Sequence, residues 1–95
     1  MERFFEWDDS KAEINYRKHG IRFEEAARVF EDPLALSEQD RIEGGEQRWQ
    51  TIGLADTALL LVVHTVRFEG LDVEVVRIVG ARRVDRKERR RYECG

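Results

Sequence analysis

Residues 59–66 read Leu-Leu-Leu-Val-Val-His-Thr-Val, the most strongly apolar stretch of the 95-residue chain. A short apolar run bounded by turn-forming residues is typical of a buried strand. We therefore place it at the centre of a sheet. Three further segments alternate apolar and polar residues as strands do, at 34–37, 48–54 and 73–79. The turns between the four segments are predicted at 43–46, 55–57 and 67–72.

Turns this short join only antiparallel neighbours, because parallel strands need a long crossover. The four strands therefore predict an antiparallel meander. Capping and periodicity predict helices at 9–19, 23–31 and 85–93, and a short aromatic strand-like stretch at 4–7 precedes them. The predicted fold is α+β, a single domain over residues 1–95. Its helices cover one sheet face and leave the other partly open.

Charge is distributed unevenly along the chain, although the formal net charge is only -3. Residues 1–47 hold 13 acidic and 7 basic residues, whereas residues 77–91 hold eight basic and two acidic ones. A basic segment of this kind has three interpretations: a solvated helix, a site for a polyanion, or a site for an acidic protein.

The composition also narrows the compartment and the chemistry. The first residues lack the basic and apolar regions of a secretory leader, and the chain has no apolar run of the roughly 18 residues that a membrane span needs. Cys94 is the only cysteine, which fits a reducing compartment. We expect a cytoplasmic protein that does not enter a membrane. Without paired cysteines, His-x-x-x-His or a phosphate-cradling glycine loop, we expect no metal and no cofactor.

Two places on the predicted strands could hold a phosphate. Arg77 lies in an otherwise apolar strand, where it is either a salt-bridged arginine with a buried stem or a rigidly held phosphate ligand. Glu46 and Arg48 are two residues apart and face the same side of an extended strand. They form either a surface ion pair or a general base beside a phosphate clamp.

The two histidines are candidates for proton transfer. His64 lies inside the most apolar strand, where a hydrogen-bonded core histidine is the more common case. His19 follows Lys18 in the last turn of the first helix. Cations there suit the helix dipole, but an exposed histidine can also move a proton. Together these residues resemble the metal-free sites of ribonucleases that drive the 2′-hydroxyl onto the neighbouring phosphorus.

An ordered series of short motifs resembles one protein family, the BrnT toxins. The motifs extend from Phe4 to Glu93, and the ordered series is more specific than any one of them. They are Phe5-Glu6-Trp7-Asp8, Lys11-Ala12, Asn15, Lys18-His19-Gly20, Phe23-Glu24-Glu25-Ala26, Val29-Phe30, Asp32-Pro33, Gly45-Glu46, Arg48, Ile52-Gly53, Ala81-Arg82-Arg83, Glu88-Arg89 and Tyr92.

The resemblance implies a RelE-like ribonuclease fold and metal-independent cleavage of RNA that arrests translation. It also implies a BrnA-like antitoxin protein as partner, with operator DNA bound only through that antitoxin. Because a domain this small has a narrow stability margin, a homodimer or a heterotetramer with the antitoxin is expected.

From the resemblance we expect Glu46 or His19 to accept the proton and Arg48, Arg77 and Arg82 to stabilise the phosphate and the transition state. Further RNA contacts are predicted from five residues: Lys18, His64, Arg83, Arg86 and Arg89. Three departures from the family pattern weaken the expected site: Gly80 where serine is expected, Ala58 where arginine is common, and the acidic hairpin at 69–72.

Two other functions compete with the ribonuclease. A binding module without catalysis would use the basic helix for salt-dependent binding of nucleic acid or of an acidic protein. A structural subunit of an obligate complex would fold poorly alone and would tolerate mutations in the site.

Overall fold

The computed structural model describes residues 1–95 and has the expected α+β composition. The first helical segment in each half begins at an aspartate cap: Asp8 accepts from the amides of Ser10 and Lys11, and Asp85 forms a capping box with Glu88. The elements are β1 (Glu2–Glu6), α1 (Asp9–His19), α2 (Phe23–Ala26) with a 3₁₀ turn (Ala27–Glu31), β2 (Leu36–Glu43), β3 (Glu46–Ala55), β4 (Ala58–Glu69), β5 (Val73–Arg83) and α3 (Arg86–Cys94).

The sheet has five strands in the order β1-β5-β4-β3-β2, so β4 lies at its centre as predicted. The prediction of four antiparallel strands was wrong, because β1 joins the sheet parallel to β5. A parallel neighbour needs a long connection, and here everything from α1 to β4 supplies it. The remaining strands form the predicted meander, and Gly44 and Gly45, with φ of 60° and 80°, close its first hairpin.

The second predicted helix, 23–31, is not one α-helix. Only Phe23–Ala26 is α-helical, and a 3₁₀ turn follows to Glu31. Tighter 3₁₀ turns are common where a helix ends. The turn packs closely on β3: a Cβ added to Gly53 would lie 2.8 Å from Cγ1 of Val29.

Helices lie on both faces of the sheet, not on one as predicted. The larger core, which contains Phe23, Leu60, Val62 and Ile78, lies between the sheet and the segment from α1 to the 3₁₀ turn. We call this side the helix face. On the other side, α3 packs over a small cluster of Ile52, Leu59 and Leu61, joined by Val84 and Tyr92.

Because α3 covers only one end of this second face, the other end is uncovered. Strands β3, β4 and β5 present alternate side chains there, among them Arg77. No helix of the protein is long and apolar enough to cross a membrane.

Candidate active site

Four side chains from four strands lie in one line across the uncovered part of the second face. Glu6 of β1 is paired with Arg77 of β5, and Arg77 is paired with Thr65 of β4. The register of β3 with β4, continued by one residue, puts Arg48 opposite Thr65. We call Glu6, Arg77, Thr65 and Arg48 the cross-strand row.

The row places two guanidinium groups on either side of a small hydroxyl side chain. Neighbouring strands are about 4.8 Å apart, so the Cα atoms of Arg48 and Arg77 are separated by roughly 10 Å. Thr65 between them is 4% exposed, whereas the side chain of Arg77 is 41% exposed. Arginine side chains are long enough to reach one phosphate from both ends of such a gap. Their strands hold them more rigidly than loops would.

One carboxylate ties Arg77 to a further arginine, Arg67 of β4. Glu6 accepts hydrogen bonds from Arg77 at 3.0 Å and from Arg67 at 2.8 and 3.1 Å. The bonds from Arg67 and then from Arg77 lower the pKa of Glu6 to about 2. Glu6 is therefore ionised at neutral pH and holds the two guanidinium groups together, while Arg67 also pairs with Glu69 at 3.1 Å.

Arg48 is more enclosed than Arg77. Its side chain is 16% exposed, and Nη2 lies 3.4 Å from a carboxylate oxygen of Glu43. Its Nε is buried and has no hydrogen-bond partner, so one donor of the guanidinium is free. Glu46 is paired with Glu43 across the hairpin and is exposed on the same face as Arg48. The sequence prediction that Glu46 and Arg48 share a face fits this register.

Arg82 is used to hold α3. It donates to both carboxylate oxygens of Glu88 at 2.8 Å and to the carbonyl of Arg83 at 3.1 Å. The bonds from Arg82 lower the pKa of Glu88, which also completes the capping box with Asp85. The bidentate pair sits beside the cluster under α3, separated from the cross-strand row by the β5 bulge.

The other predicted RNA contacts on this part of the chain are exposed. Arg83 is paired with Leu60 and so faces the opposite side of the sheet from Arg82. Arg86 and Arg89 lie on the solvent side of α3, away from the buried Glu88. Their roles in RNA binding stay predictions.

Lys18 and His19 lie in the last turn of α1, both exposed. They line a groove with Val79 of β5 and with Lys11 and Ile14 of α1. The groove adjoins the second face where β5 departs from regular pairing. His19 therefore lies on the β5 side of the cross-strand row and Glu46 on the β3 side.

His64 lies on the helix face, opposite to the cross-strand row. It is 3% exposed, its Nε2 is 2.7 Å from the hydroxyl of Thr51, and it packs edge-on against Phe30. Burial lowers its pKa to about 4, so the ring is neutral at neutral pH. It borders a cleft of about 390 Å³ that Trp49 also lines. This environment is that of a core histidine; an RNA contact by His64 would have to come through the cleft.

Sequence reasoning missed Glu6 and Arg67. Arg67 was placed in a predicted turn, but β4 continues to Glu69. Glu6 lies about 70 residues before its partner Arg77, and a parallel pairing at that distance leaves no local pattern. Residues 63, 65 and 67 would have been assigned to one face if the strand had been extended. No group of three His, Cys, Asp or Glu side chains is arranged to hold a metal ion.

Comparison with known proteins gives one match. A family model described as "Ribonuclease toxin, BrnT, of type II toxin-antitoxin system" matches residues 7–88. No curated protein matches the chain. The matched range contains Arg48, Arg67 and Arg77, whereas Glu6 precedes it by one residue.

Proposed function

Because the chain belongs to the BrnT family of ribonuclease toxins from type II toxin-antitoxin systems, we propose that it cleaves RNA at the cross-strand row. The reaction proposed is a metal-independent attack of the 2′-oxygen on the adjacent phosphorus. Membership implies an RNA target and an antitoxin partner. The catalytic assignment is our proposal and has its support in the row.

The observation that carries the proposal is the placement of Arg48 and Arg77 on the same uncovered face with Thr65 between them. Negative charge builds on the phosphoryl oxygens as the 2′-oxygen attacks. Guanidinium groups fixed on strands can stabilise that charge without reorganising, and they bind two oxygens at once. Arg48 has a free buried donor, so it gains a hydrogen bond when a phosphate binds.

The proton balance of the reaction needs an acceptor and a donor. The bond from the 2′-oxygen to phosphorus forms while the bond from phosphorus to the 5′-oxygen breaks, which leaves a 2′,3′-cyclic phosphate and a 5′-hydroxyl. The proton of the 2′-hydroxyl goes to an acceptor, and the 5′-oxygen takes up a proton as it leaves. Glu46 and His19 are the two candidate acceptors, at opposite sides of the row.

Glu6 is not an acceptor in this scheme. A carboxylate whose pKa lies at about 2 binds a proton weakly. Its oxygens are also occupied by Arg67 and Arg77. We assign it the role of a positioning residue that holds Arg77 toward the row.

Arg82 is placed outside the reacting centre. Its guanidinium is bound bidentately by Glu88, and a phosphate could use it only after this pair is broken. It instead fixes α3 to β5. This revises the expectation that Arg82 contacts the transition state.

The finer biological role follows from the family resemblance. We propose that the toxin acts in the cytoplasm, arrests translation by RNA cleavage and is neutralised by a BrnA-like antitoxin in a heterotetramer. Operator DNA would be bound by the antitoxin alone.

Expression in bacteria tests the proposal. Induction of the wild-type chain is expected to stop growth and degrade RNA, whereas Arg77→Ala and Glu46→Ala variants that fold should not, if Glu46 is the acceptor. Persistence of toxicity in Glu46→Ala and its loss in His19→Gln would assign the acceptor to His19. Intact RNA in cells that contain abundant folded wild-type protein would contradict catalysis and favour a binding module.

A further inference from the structure

A second basic surface lies beside the cross-strand row, in the groove between α1 and β5. We propose that this groove binds the RNA strand beyond the scissile phosphate, with Lys11 and Lys18 contacting backbone phosphates. The inference rests on the proposed function, because it assigns the groove to the same substrate. It adds a binding track that the cross-strand row does not contain.

The groove is built by an unusual docking of α1 on the sheet. Asn15 is 8% exposed, and its amide accepts from the backbone N–H of Ala81 at 3.0 Å and donates to the carbonyl of Ala81 at 2.9 Å. The side chain thus pairs with the edge of β5 as a strand would. A bond from Asn15 to the carbonyl of Ile21 at 3.0 Å fixes the end of the helix as well.

A bulge in β5 opens the space beside this contact. Val63 of β4 is paired with Gly80 and His64 with Ile78, so Val79 is an extra residue. Gly80 has only Asn15 within 4 Å of where a Cβ would be. The bulge turns β5 away from regular pairing after Arg77 and leaves Val79 on the groove floor, in a depression of about 200 Å³.

The groove wall carries two lysines on one side of α1. Lys11 and Lys18 are seven residues, or two turns, apart, which is roughly 10 Å along the axis. Ile14 lies between them and is 63% exposed. Neither lysine takes part in an ion pair, whereas Arg17 of the same helix is bound to Glu13 at 2.6 Å. An unpaired cation releases its counterions when it meets a phosphate, and the exposed isoleucine offers an apolar contact to a sugar or base.

The groove is continuous with the catalytic row. The charges of Lys11 and Arg77 both act on Asp8, whose pKa is lowered mainly by hydrogen bonds from the backbone amides of Lys11 and Ser10. The start of α1 is therefore close to Arg77. A strand whose scissile phosphate lies on the row can run along α1 past Lys11 and Lys18 without crossing the sheet.

Steady-state kinetics on purified protein test the track. The variant Lys11→Gln with Lys18→Gln is compared with wild type and with Arg17→Gln, which removes a cation from the same helix outside the groove. On a long oligoribonucleotide we expect the double variant to raise KM about tenfold with kcat unchanged, and to make the salt dependence of log K shallower by about 1.4, or 0.7 per phosphate contact. On a dinucleotide with one phosphate, wild type and double variant should be equal.

Binding of both oligomers is measured by fluorescence anisotropy alongside cleavage. Wild type that binds but does not cleave would contradict the proposed ribonuclease, and the track would then be judged on affinity and salt dependence alone. Equal KM, affinity and salt dependence for the double variant and wild type would overturn the track. A matching loss in Arg17→Gln would overturn it too, because the effect would then be one of net charge.

Discussion

Acidification should destabilise the fold through one buried side chain, His64. Burial lowers its pKa to about 4 in the folded protein, against roughly 6.5 in an unfolded chain. The folded state therefore favours the neutral ring. Its contribution is fully present above pH 6.5 and is lost as the pH falls from there to 4. A difference of about 2.5 pKa units corresponds to about 3 kcal/mol, a large share of the stability of a small domain.

Urea unfolding at a series of pH values between 7.5 and 4 measures this loss, and variants separate it from the titration of carboxylates. His64→Gln keeps a polar group beside Thr51 but cannot titrate, so its free energy of unfolding should fall less between pH 7 and pH 4, by up to about 3 kcal/mol. His19→Gln, at an exposed position, is the matched control and should follow wild type. Parallel pH profiles for wild type and His64→Gln would refute the reasoning.

Two other substitutions test particular contacts. Glu6→Gln should lower kcat about tenfold, because Arg77 loses its positioning partner, and should also lower KM, because one negative charge leaves the phosphate site; an unchanged kcat would contradict the positioning role. Tyr92→Phe removes the 2.6 Å bond that the hydroxyl donates to Asp32 and should cost about 1 kcal/mol in urea unfolding. Tyr16→Phe on the exposed surface of α1 is its control, and an equal loss in both would show that the bond to Asp32 adds nothing.

Local signals in the sequence predicted most of the secondary structure. The aspartate caps and Gly20 delimit α1 at the predicted residues, and Gly20 has the left-handed φ of 72° expected after a helix. The apolar run in β4 lies at the centre of the sheet as predicted. These features depend on neighbours in the chain, and for that reason they can be read from it.

Long-range pairing could not be read in the same way. Residues 4–7 looked strand-like, but nothing near them indicates that β1 adds to the edge of β5. The same limit applies to α3, whose place on the second face depends on Arg82, Glu88 and Tyr92 meeting partners elsewhere in the chain. Tertiary contacts of this kind override local preference.

The candidate site was predicted in part. Alternation along the strands put Arg77 on the face away from the core, and the register brings Arg48 into line with it. The roles of Glu46, His19, Arg48 and Arg77 stay predictions. His64 shows the limit of the method, because a histidine in an apolar strand has the same sequence signature whether it serves the core or a site.

The most direct test of the central claim is cleavage of an oligoribonucleotide by the purified chain in the presence of EDTA, with analysis of the fragment ends. We predict fragments with 2′,3′-cyclic phosphate and 5′-hydroxyl ends, and a loss of at least about 100-fold in rate for Arg77→Gln, equal to about 2.7 kcal/mol of transition-state stabilisation. Cleavage that stops with EDTA, fragments with 5′-phosphate ends, or full activity of Arg77→Gln would contradict the account.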